Sequence, residues 1–423
     1  AGGKRYDSPA MTATAMDSLS DCAATAAVLA ATLIGRYTGL RIDGWCGLLV
    51  AAFILWSGVS AGKETVDPLL GQPPTAEFVQ KIRDLVLSHP KIIGLHDLIV
   101  HNYGPGRVMI VADDRVDALY GAAAQASYEA AGFAAGRLSF PRGEGSKNLA
   151  VLGELLEKLA VAGLTRQDIL VALGGGVTGD LTGFAAAVYL RGIRYVQLPT
   201  TLLAAVDSSV GGKPAVDLNA GKNLCGAFKQ PELVVCDCGL LQSLPAETFA
   251  EGLAESIKYG VIADADLFEE FKDSGYTERL EAIIGRCVAI KAGIVAEDEF
   301  DYGRRQLLNF GHTIGHGVEK LSGYGLSHGY AVAVGMAVMS RAAEALGWCR
   351  EPVARQLAEV LERRGLPQET EYESEALAWA ALADKKRRGD SITLIVPEAL
   401  GRCVLKEIPV GDLASVIRAG RLK

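Results

Sequence analysis

Short apolar runs separated by glycine or polar residues fill the last three quarters of the chain. Residues 108–111, 168–173 and 195–198 are runs of this kind, and they predict buried strands of a parallel sheet. From 245 to about 347 the apolar positions follow a helical period instead, most clearly over 249–262 and 280–296. The pattern therefore predicts an α/β domain followed by a mainly α-helical domain.

Longer apolar runs occupy the first quarter of the chain. Residues 44–62 contain no charged side chain, and at about 1.5 Å per residue such a helix is long enough to cross a bilayer. Residues 9–35 form a second candidate span that includes Asp17 and Asp21, and acids within a membrane helix predict an ion site. We expect membrane association through residues 9–62, with a buried core helix over 44–62 as the alternative.

Composition limits the partners and the compartment. The chain has 423 residues, 49% of them hydrophobic, and a net charge of −8, so it offers no basic field for nucleic acid. Its mean hydropathy is +0.21, which is high for an ordinary soluble enzyme. Eight cysteines are scattered without a C-x-x-C pair, which argues against a cysteine zinc site. We expect the enzyme part to be cytoplasmic and the whole chain to be membrane-associated if the first helices are retained.

Three of the six histidines lie within seventeen residues of one another, at His312, His316 and His328. His312 and His316 are four residues apart, so on a helix both imidazoles project from one face. With the upstream carboxylate of Glu255 they could form a two-histidine, one-carboxylate zinc shell. The alternative is a pair of surface histidines.

A glycine-rich turn follows the predicted strand 168–173. Residues 174–179 fit G-x-G-x-x-G and lead into a predicted helix over 181–190, an order that brings backbone N–H groups to a nucleotide phosphate. The acid that would hold a ribose is displaced, because the next one after Asp180 is Asp207. A tight structural turn is the alternative. Hydroxyls and lysines after the strand 195–198, at Thr200, Thr201, Lys213 and Lys222, suit an anionic ligand at the same edge of the sheet.

Together these motifs resemble the 3-dehydroquinate synthases, over about residue 107 to the end of the chain. The resemblance implies zinc (or Co²⁺) on Glu255, His312 and His328, and it moves His316 from ligand to substrate contact. The implied NAD contacts are Asp113, Gly143, Glu144, Lys147, Gly175, Gly176, Val177, Thr178, Gly179, Thr200, Thr201 and Lys222. The other implied catalytic and substrate-holding residues are Asp207, Lys213, Asn223, Lys258, Lys291, Arg305, Asn309, His316 and Lys385.

The resemblance also implies a reaction. A sugar acid phosphate, 3-deoxy-arabino-heptulosonate 7-phosphate, would be oxidised by NAD, lose phosphate, be reduced again and close into a carbocycle. This is a step of aromatic amino acid biosynthesis, in the shikimate pathway. Sister enzymes that cyclise other sugar phosphates share the scaffold. The resemblance also leads us to expect a homodimer. One departure is Tyr330, where the family usually has glutamate in a His-Gly-Glu motif. That glutamate is not a zinc ligand, so the change bears on the groups that surround the ligands and not on the ligands themselves.

The first hundred residues resemble a different family, the cation diffusion facilitators that export divalent metals. Residues 1–66 match its last two transmembrane helices and 67–107 part of its cytoplasmic domain. We expect a helix over 75–88 and a strand over 95–101, with possible metal contacts at His96, Asp97 and His101.

Both resemblances break off near residue 107, without a linker between them. By the resemblances, an exporter would need four further helices before residue 1, and a synthase would have an opening hairpin before residue 108. We therefore expect a chimaera, in which residues 108–245 form the NAD-binding α/β domain and 246–423 the metal- and substrate-binding domain. A natural membrane-anchored synthase and a metal transporter with an incidental passenger are the alternatives.

Overall fold

The computed structural model describes residues 106–382, 387–388 and 390–422, together with 80–84 and the single positions 25, 36 and 51. By its internal contacts the chain divides into two units, Ala1–Gly106 and Arg107–Lys423. In the first unit, residues 80–84 are helical, within the helix expected over 75–88. None of the helices among the described residues combines the length and the apolar character needed to cross a bilayer. Apart from the single helical positions 25 and 51, the two predicted spans lie outside the described residues, as do the acids Asp17 and Asp21 and the strand over 95–101.

The second unit begins with strands and helices in alternation. The elements are β1 (Arg107–Asp113), α1 (Ala122–Ala130), β2 (Ala134–Phe140), α2 (Leu149–Val161), β3 (Ile169–Gly174), α3 (Gly176–Val188), β4 (Arg194–Pro199), β5 (Ala215–Leu218), β6 (Gly221–Gly226) and β7 (Leu233–Val234). Helical turns at Asp114–Val116 and Asp117–Gly121 lead directly into α1, and further short turns are Glu144–Ser146, Tyr189–Arg191, Ala204–Ser208 and Cys238–Ser243.

Helices dominate the rest of this unit. The elements are α4 (Ala246–Ala263), α5 (Ala265–Glu270), α6 (Leu280–Glu297), α7 (His312–Leu321), α8 (His328–Ala345), α9 (Ala354–Arg363), α10 (Ser374–Leu382), β8 (Arg387–Arg388), β9 (Ser391–Ala399), β10 (Arg402–Pro409) and α11 (Leu413–Ala419). Short turns cover Ser274–Arg279, Arg304–Asn309 and Val410–Asp412.

Within the described residues, five strands form one sheet in the order β2-β1-β3-β4-β7. Every neighbouring pair in it is parallel, as the short apolar runs predicted. Side chains alternate between its faces, so Val108 and Ile110 belong to one apolar cluster and Val111 to another. Because both faces are covered, the carboxyl ends of β1, β3 and β4 form one open edge for a ligand.

The structure differs from the sequence expectation at several elements. Helix α3 begins at Gly176, five residues before the predicted start, because the glycines of the turn enter the first helical turn. The mainly helical part also contains an antiparallel sheet, β10-β9-β8, which the helical pattern did not predict. Its strand β9 packs against α4 and α8, so its apolar residues join the same core as those helices.

Candidate metal and anion site

Three helices meet at the histidine cluster. Helix α4 carries Glu255 on its buried face, α7 begins with His312, and α8 begins with His328. Glycines allow the close approach. Gly311 has φ +79°, and a Cβ on Gly335 of α8 would overlap the Gly311 carbonyl oxygen. Similarly, a Cβ on Gly329 would overlap the backbone of Glu251 in α4. The absence of side chains at these contacts lets two helix N-termini converge on one carboxylate.

The side chains of Glu255, His312 and His328 form a compact donor set. One ligand atom from each lies within 4.8 Å of the other two. Glu255 Oε1 is 3.6 Å from His312 Nε2 and 3.5 Å from His328 Nε2. His312 Nδ1 lies 3.1 Å from the Phe310 carbonyl oxygen, an acceptor that favours the proton on Nδ1 and leaves Nε2 able to bind a metal. One carboxylate and two imidazoles are a donor set suited to Zn²⁺.

Both oxygens of Glu255 are buried, and Oε2 is in close ion-pair contact with Lys258, one turn further along α4. Oε1 has no hydrogen-bond partner and faces the two imidazole nitrogens. Burial opposes the negative charge, but the Lys258 ammonium and His328 outweigh it and lower the pKa of Glu255. The buried Oε1 lacks a hydrogen bond, and together with the two imidazole nitrogens that face it, it could share a cation. The residues present therefore fit a divalent cation.

His316 lies beside this donor set without belonging to it. Its ring centroid is 5.5 Å from that of His312 and 6.2 Å from that of His328. It forms a second candidate group with Glu319 and His328, which shares the His328 ring with the first group. The i, i+4 spacing of His312 and His316 thus placed two imidazoles close together but did not identify the group of Glu255, His312 and His328.

A buried network of opposite charges extends from Glu255 towards Asp207. Asp207 Oδ1 is 3.0 Å from Lys291 Nζ and 3.9 Å from Lys258 Nζ, and it also accepts a hydrogen bond from the Tyr259 hydroxyl. Burial would raise the pKa of Asp207, but the two ammonium groups and the phenol hold it well below its ordinary value. Asp207 is therefore a carboxylate at any pH near neutral.

The glycine turn is tightly built at the carboxyl end of β3. Gly174 pairs in register with Pro199 of β4, and the Thr200 N–H donates to the Gly174 carbonyl at 3.0 Å. A Cβ on Gly175 would lie 3.0 Å from the side chain of Thr201. Because α3 begins at Gly176, the free N–H groups of its first turn lie at the glycine turn. An anion bound there would be favoured by these N–H groups and by the helix dipole.

Lys147 and Lys222 connect the residues expected around NAD. Lys147 pairs with Asp180 at 2.6 Å and donates to Asn223 Oδ1 at 2.6 Å. Lys222 lies 3.4 Å from Glu144 Oε1 and 3.3 Å from Glu319 Oε1. Asp180 and Glu319 were not among the predicted site residues, and both join predicted ones.

Lys213 and Arg305 lie in a neighbouring pair of loops. Lys213 is half-exposed and forms an ion pair with Asp301 at 2.7 Å. Arg305 is buried and donates to the Gly211 carbonyl at 2.8 Å, so one loop fixes the position of the other. Asn309 ends the helical turn that begins with Arg304.

The remaining predicted residues are distributed as follows. Asp113 ends β1 and accepts the N–H groups of Arg115 and Val116, which makes it the N-cap of the next helical turn. Gly143 precedes the turn that contains Glu144 and has φ +102°. Lys385 and the exporter-type contacts at His96, Asp97 and His101 lie outside the described residues.

Three residues that the sequence interpretation missed touch the predicted site: Glu319, Tyr259 and Asp180. Glu319 could have been found from helical spacing, because it follows His316 by three residues on α7. Tyr259 carried no such signal, since its partner Asp207 is 52 positions away. Tyr330, the departure from the family motif, lies near Glu247 and Glu251, which together with burial raise its pKa. A glutamate there would face two other acids, so tyrosine avoids a third negative charge.

The fold and site together define an α/β protein with a carboxylate–histidine cluster that could hold a metal, and a glycine-rich turn suited to an anion. Comparison with known families gives the assignment. The family description "3-dehydroquinate synthase N-terminal" matches residues 137–251, and "3-dehydroquinate synthase C-terminal" matches 252–387. The 3-dehydroquinate synthase of Streptococcus sanguinis is 43% identical over 321 residues, which cover 74% of this chain and 90% of the relative. The chain belongs to the 3-dehydroquinate synthase family.

Solved structures agree with this assignment at the level of the fold. A 2-deoxy-scyllo-inosose synthase complexed with carbaglucose-6-phosphate, NAD⁺ and Co²⁺ superposes with a TM-score of 0.68 at 28% identity, covering 74% of this chain and 90% of that one. A 2-epi-5-epi-valiolone synthase from Streptomyces hygroscopicus subsp. jinggangensis, with NAD⁺ and Zn²⁺ bound, gives 0.69 at 26% identity, covering 75% and 91%. Separately, the description "Cation efflux transmembrane domain" matches residues 1–70, the segment expected to derive from an exporter.

Proposed function

We propose that residues 107–423 act as a 3-dehydroquinate synthase that uses NAD and one divalent ion, Zn²⁺ or Co²⁺. The overall reaction converts 3-deoxy-arabino-heptulosonate 7-phosphate into 3-dehydroquinate and phosphate. The observation that carries the proposal is the set of Glu255, His312 and His328, in which a buried carboxylate oxygen without a hydrogen bond faces two imidazole nitrogens. Family membership supports the substrate, and the two sister cyclases in complex with NAD⁺ and metal support the cofactors.

Glu255, His312 and His328 would hold the metal. When bound, the ion supplies a positive charge that polarises a substrate oxygen during hydride transfer to and from NAD. Lys258 forms an ion pair with Glu255 and lies near Asp207, so it limits the net negative charge that the two buried carboxylates present to an anionic substrate. His316 is only partly buried beside the donor set, where we assign it to substrate contact and proton movement.

The anionic groups of the substrate require fixed cations. Arg305 is fixed by its hydrogen bond to Gly211, and Lys291 by its hydrogen bond to the Asp207 carbonyl at 2.6 Å. Lys213 is fixed less rigidly, since its partner Asp301 lies on an exposed loop. We assign these three side chains, with Asn223, Asn309 and Lys385, to the phosphate and carboxylate of the substrate.

The cofactor would occupy the carboxyl edge of the parallel sheet. The turn Gly175–Gly179 and the N-terminus of α3 would receive its pyrophosphate, with Thr200 and Thr201 at the end of the adjacent strand. The proposed NAD contacts at the same edge are completed by Lys147, Glu144, Lys222 and Asp113. Asn223 has φ +54° and is held by Lys147 and by an N–H donated to Asp217, so it links the cofactor and substrate sides.

The experiment that tests this function is a substrate comparison with the full chain. We expect phosphate release from 3-deoxy-arabino-heptulosonate 7-phosphate with NAD present in amounts far below the substrate, because NAD is regenerated in each turnover. Glucose 6-phosphate is the control for sister-cyclase activity. Release from glucose 6-phosphate alone would assign the chain to a sister cyclase, and release from neither would refute the proposal.

Two further properties belong to the same proposal. We propose a homodimer, which light scattering of the full chain in detergent would test. Residues 1–70 match a cation efflux domain, but we assign no transport to them, since the proposed catalytic residues all lie in the second unit. Membrane attachment through residues 9–62 stays a prediction, and a flotation assay with vesicles would test it.

A further inference from the structure

Glu319 is a buried carboxylate to which the proposed reaction assigns no role. It lies on α7 with only 3% of its surface exposed. Its Oε2 is 3.4 Å from His328 Nδ1, whereas the other ring nitrogen, Nε2, faces Glu255 at 3.5 Å. The His328 ring therefore lies between two carboxylates, one at each nitrogen.

A carboxylate at this position has a defined effect on a metal-binding imidazole. It accepts the Nδ1–H, which fixes the tautomer and the ring orientation and leaves the lone pair of Nε2 directed at the metal. His328 needs such a partner more than His312 does. The Phe310 carbonyl two residues away already orients the His312 ring, while His328 is the first residue of α8 and a third of its side chain is exposed.

The proton on the His328 ring decides between the two roles open to Glu319. Glu319, His316 and His328 are close enough to be ligands of a second ion. However, the Lys222 ammonium lies 3.3 Å from Glu319 Oε1 and also over the Tyr324 ring at 4.7 Å. A second cation would also need the lone pair of His328 Nδ1, but a neutral imidazole that presents Nε2 to the first ion carries its proton on Nδ1 and can only donate there. His328 Nδ1 is then left as the partner of Oε2.

We infer that Glu319 is a positioning residue for the metal site, which holds His328 through Nδ1 so that Nε2 is presented to the ion beside Glu255 and His312. This inference rests on the proposed function, because it needs the metal to be held by that donor set.

The test compares Zn²⁺ affinities of full-length variants, by competition with a chromogenic chelator and without substrate. Glu319→Ala removes the acceptor, and we expect about a 10- to 100-fold loss of Zn²⁺ affinity. Glu319→Gln keeps an oxygen acceptor, so we expect it to restore most of that loss. The stoichiometry should stay at one ion per chain, and the visible spectrum of the Co²⁺ form should keep its band positions, because no ligand has been removed.

Glu344→Ala is the matched control for loss of a structural carboxylate. Glu344 accepts the N–H groups of Val353 and Ala354 ahead of α9, so its loss should lower the melting temperature without moving Zn²⁺ affinity. If Glu319→Ala unfolds, histidine ¹⁵N spectra of the Zn²⁺-loaded wild type give the second measurement, with Nδ1 of His328 expected to be protonated.

The outcomes separate the inference from the function on which it rests. Zn²⁺ affinity within twofold of wild type in Glu319→Ala overturns the inference and leaves the proposed enzyme intact. Two ions per wild-type chain and one per Glu319→Ala chain, or a shifted Co²⁺ spectrum, make Glu319 a ligand and overturn it as well. A wild-type chain that binds no Zn²⁺ overturns both the inference and the proposed metal site.

Discussion

Replacing Asp207 by asparagine should destabilise the folded chain strongly, because two buried ammonium groups depend on its charge. Lys291 and Lys258 are 7% and 1% exposed, and their Nζ atoms lie 3.0 Å and 3.9 Å from Asp207 Oδ1. At an effective dielectric constant of about 20, those separations correspond to attractions of about 5.5 and 4 kcal/mol before desolvation is subtracted. Breaking a buried pair from one side costs about 3–5 kcal/mol, and we expect a loss in that range.

The expected loss is compared with that of an exposed pair. Asp301→Asn removes the partner of Lys213 at 2.7 Å, a shorter distance than in either buried pair, but 40% of the Lys213 side chain is exposed to solvent. Solvent screens the pair, so we expect about 1 kcal/mol or less from Asp301→Asn. Urea unfolding at neutral pH, followed by tryptophan fluorescence and circular dichroism, would measure both variants. If Asp207→Asn costs no more than Asp301→Asn, our description of the buried network is wrong.

The same prediction has a pH dependence with a defined sign. The folded-state pKa of Asp207 is lowered, so its contribution is fully present above the unfolded pKa of about 4 and is lost as the pH falls towards the folded value. The difference in unfolding free energy between wild type and Asp207→Asn should therefore be constant above about pH 5, roughly one pH unit above the unfolded pKa. Below about pH 5 the difference should shrink. A difference that instead grows on acidification would contradict the assignment.

Three further predictions concern the site and the first unit. His312→Ala should lose Zn²⁺ and His316→Ala should keep it, as measured by metal analysis; the reverse pattern would return the ligand role to His316. Lys213→Ala and Arg305→Ala should lower kcat/KM by about one to two decades, the effect of about 1.5–3 kcal/mol per charge-assisted contact, with NAD affinity nearly unchanged in titrations. A large loss of NAD binding would move either residue to the cofactor side. A fragment of residues 1–107 should move no Zn²⁺ or Mn²⁺ into proteoliposomes. In that fragment Asp17 and Asp21 have only each other as partners, and a pair of acids in hydrocarbon costs several kcal/mol unless it is protonated or paired. Metal flux that disappears in Asp17→Ala would refute this prediction.

Local sequence signals predicted the parts of the fold that depend on local order. The run 168–173 and the glycines after it predicted β3, its turn and α3, because strand, turn and helix are contiguous in the chain. The spacing of His312 and His316 placed both rings on one face of a helix, and they are adjacent in α7. Spacing could not favour His328, which begins another helix and joins Glu255 only through the packing of α4, α7 and α8.

Residues that depend on tertiary contacts could not be predicted in this way. Lys147 bonds to Asn223 from 76 positions away, and Lys222 to Glu319 from 97. No period in the sequence connects such pairs. The strands β9 and β10 were likewise missed, since they follow residue 347, where the helical period used for the prediction ends, and their apolar residues join the core of the helices through tertiary contacts.

The central claim is that this chain releases phosphate from 3-deoxy-arabino-heptulosonate 7-phosphate with a metal held by Glu255, His312 and His328. The most direct measurement is turnover of the full chain after its metal is removed with a chelator and then returned as Zn²⁺ in measured steps. The account predicts that phosphate and 3-dehydroquinate form in equal amounts, that both stop when metal is removed, and that both return in proportion to Zn²⁺ up to one ion per chain. Undiminished turnover of the metal-free chain, or equal turnover in Glu255→Ala, would contradict it.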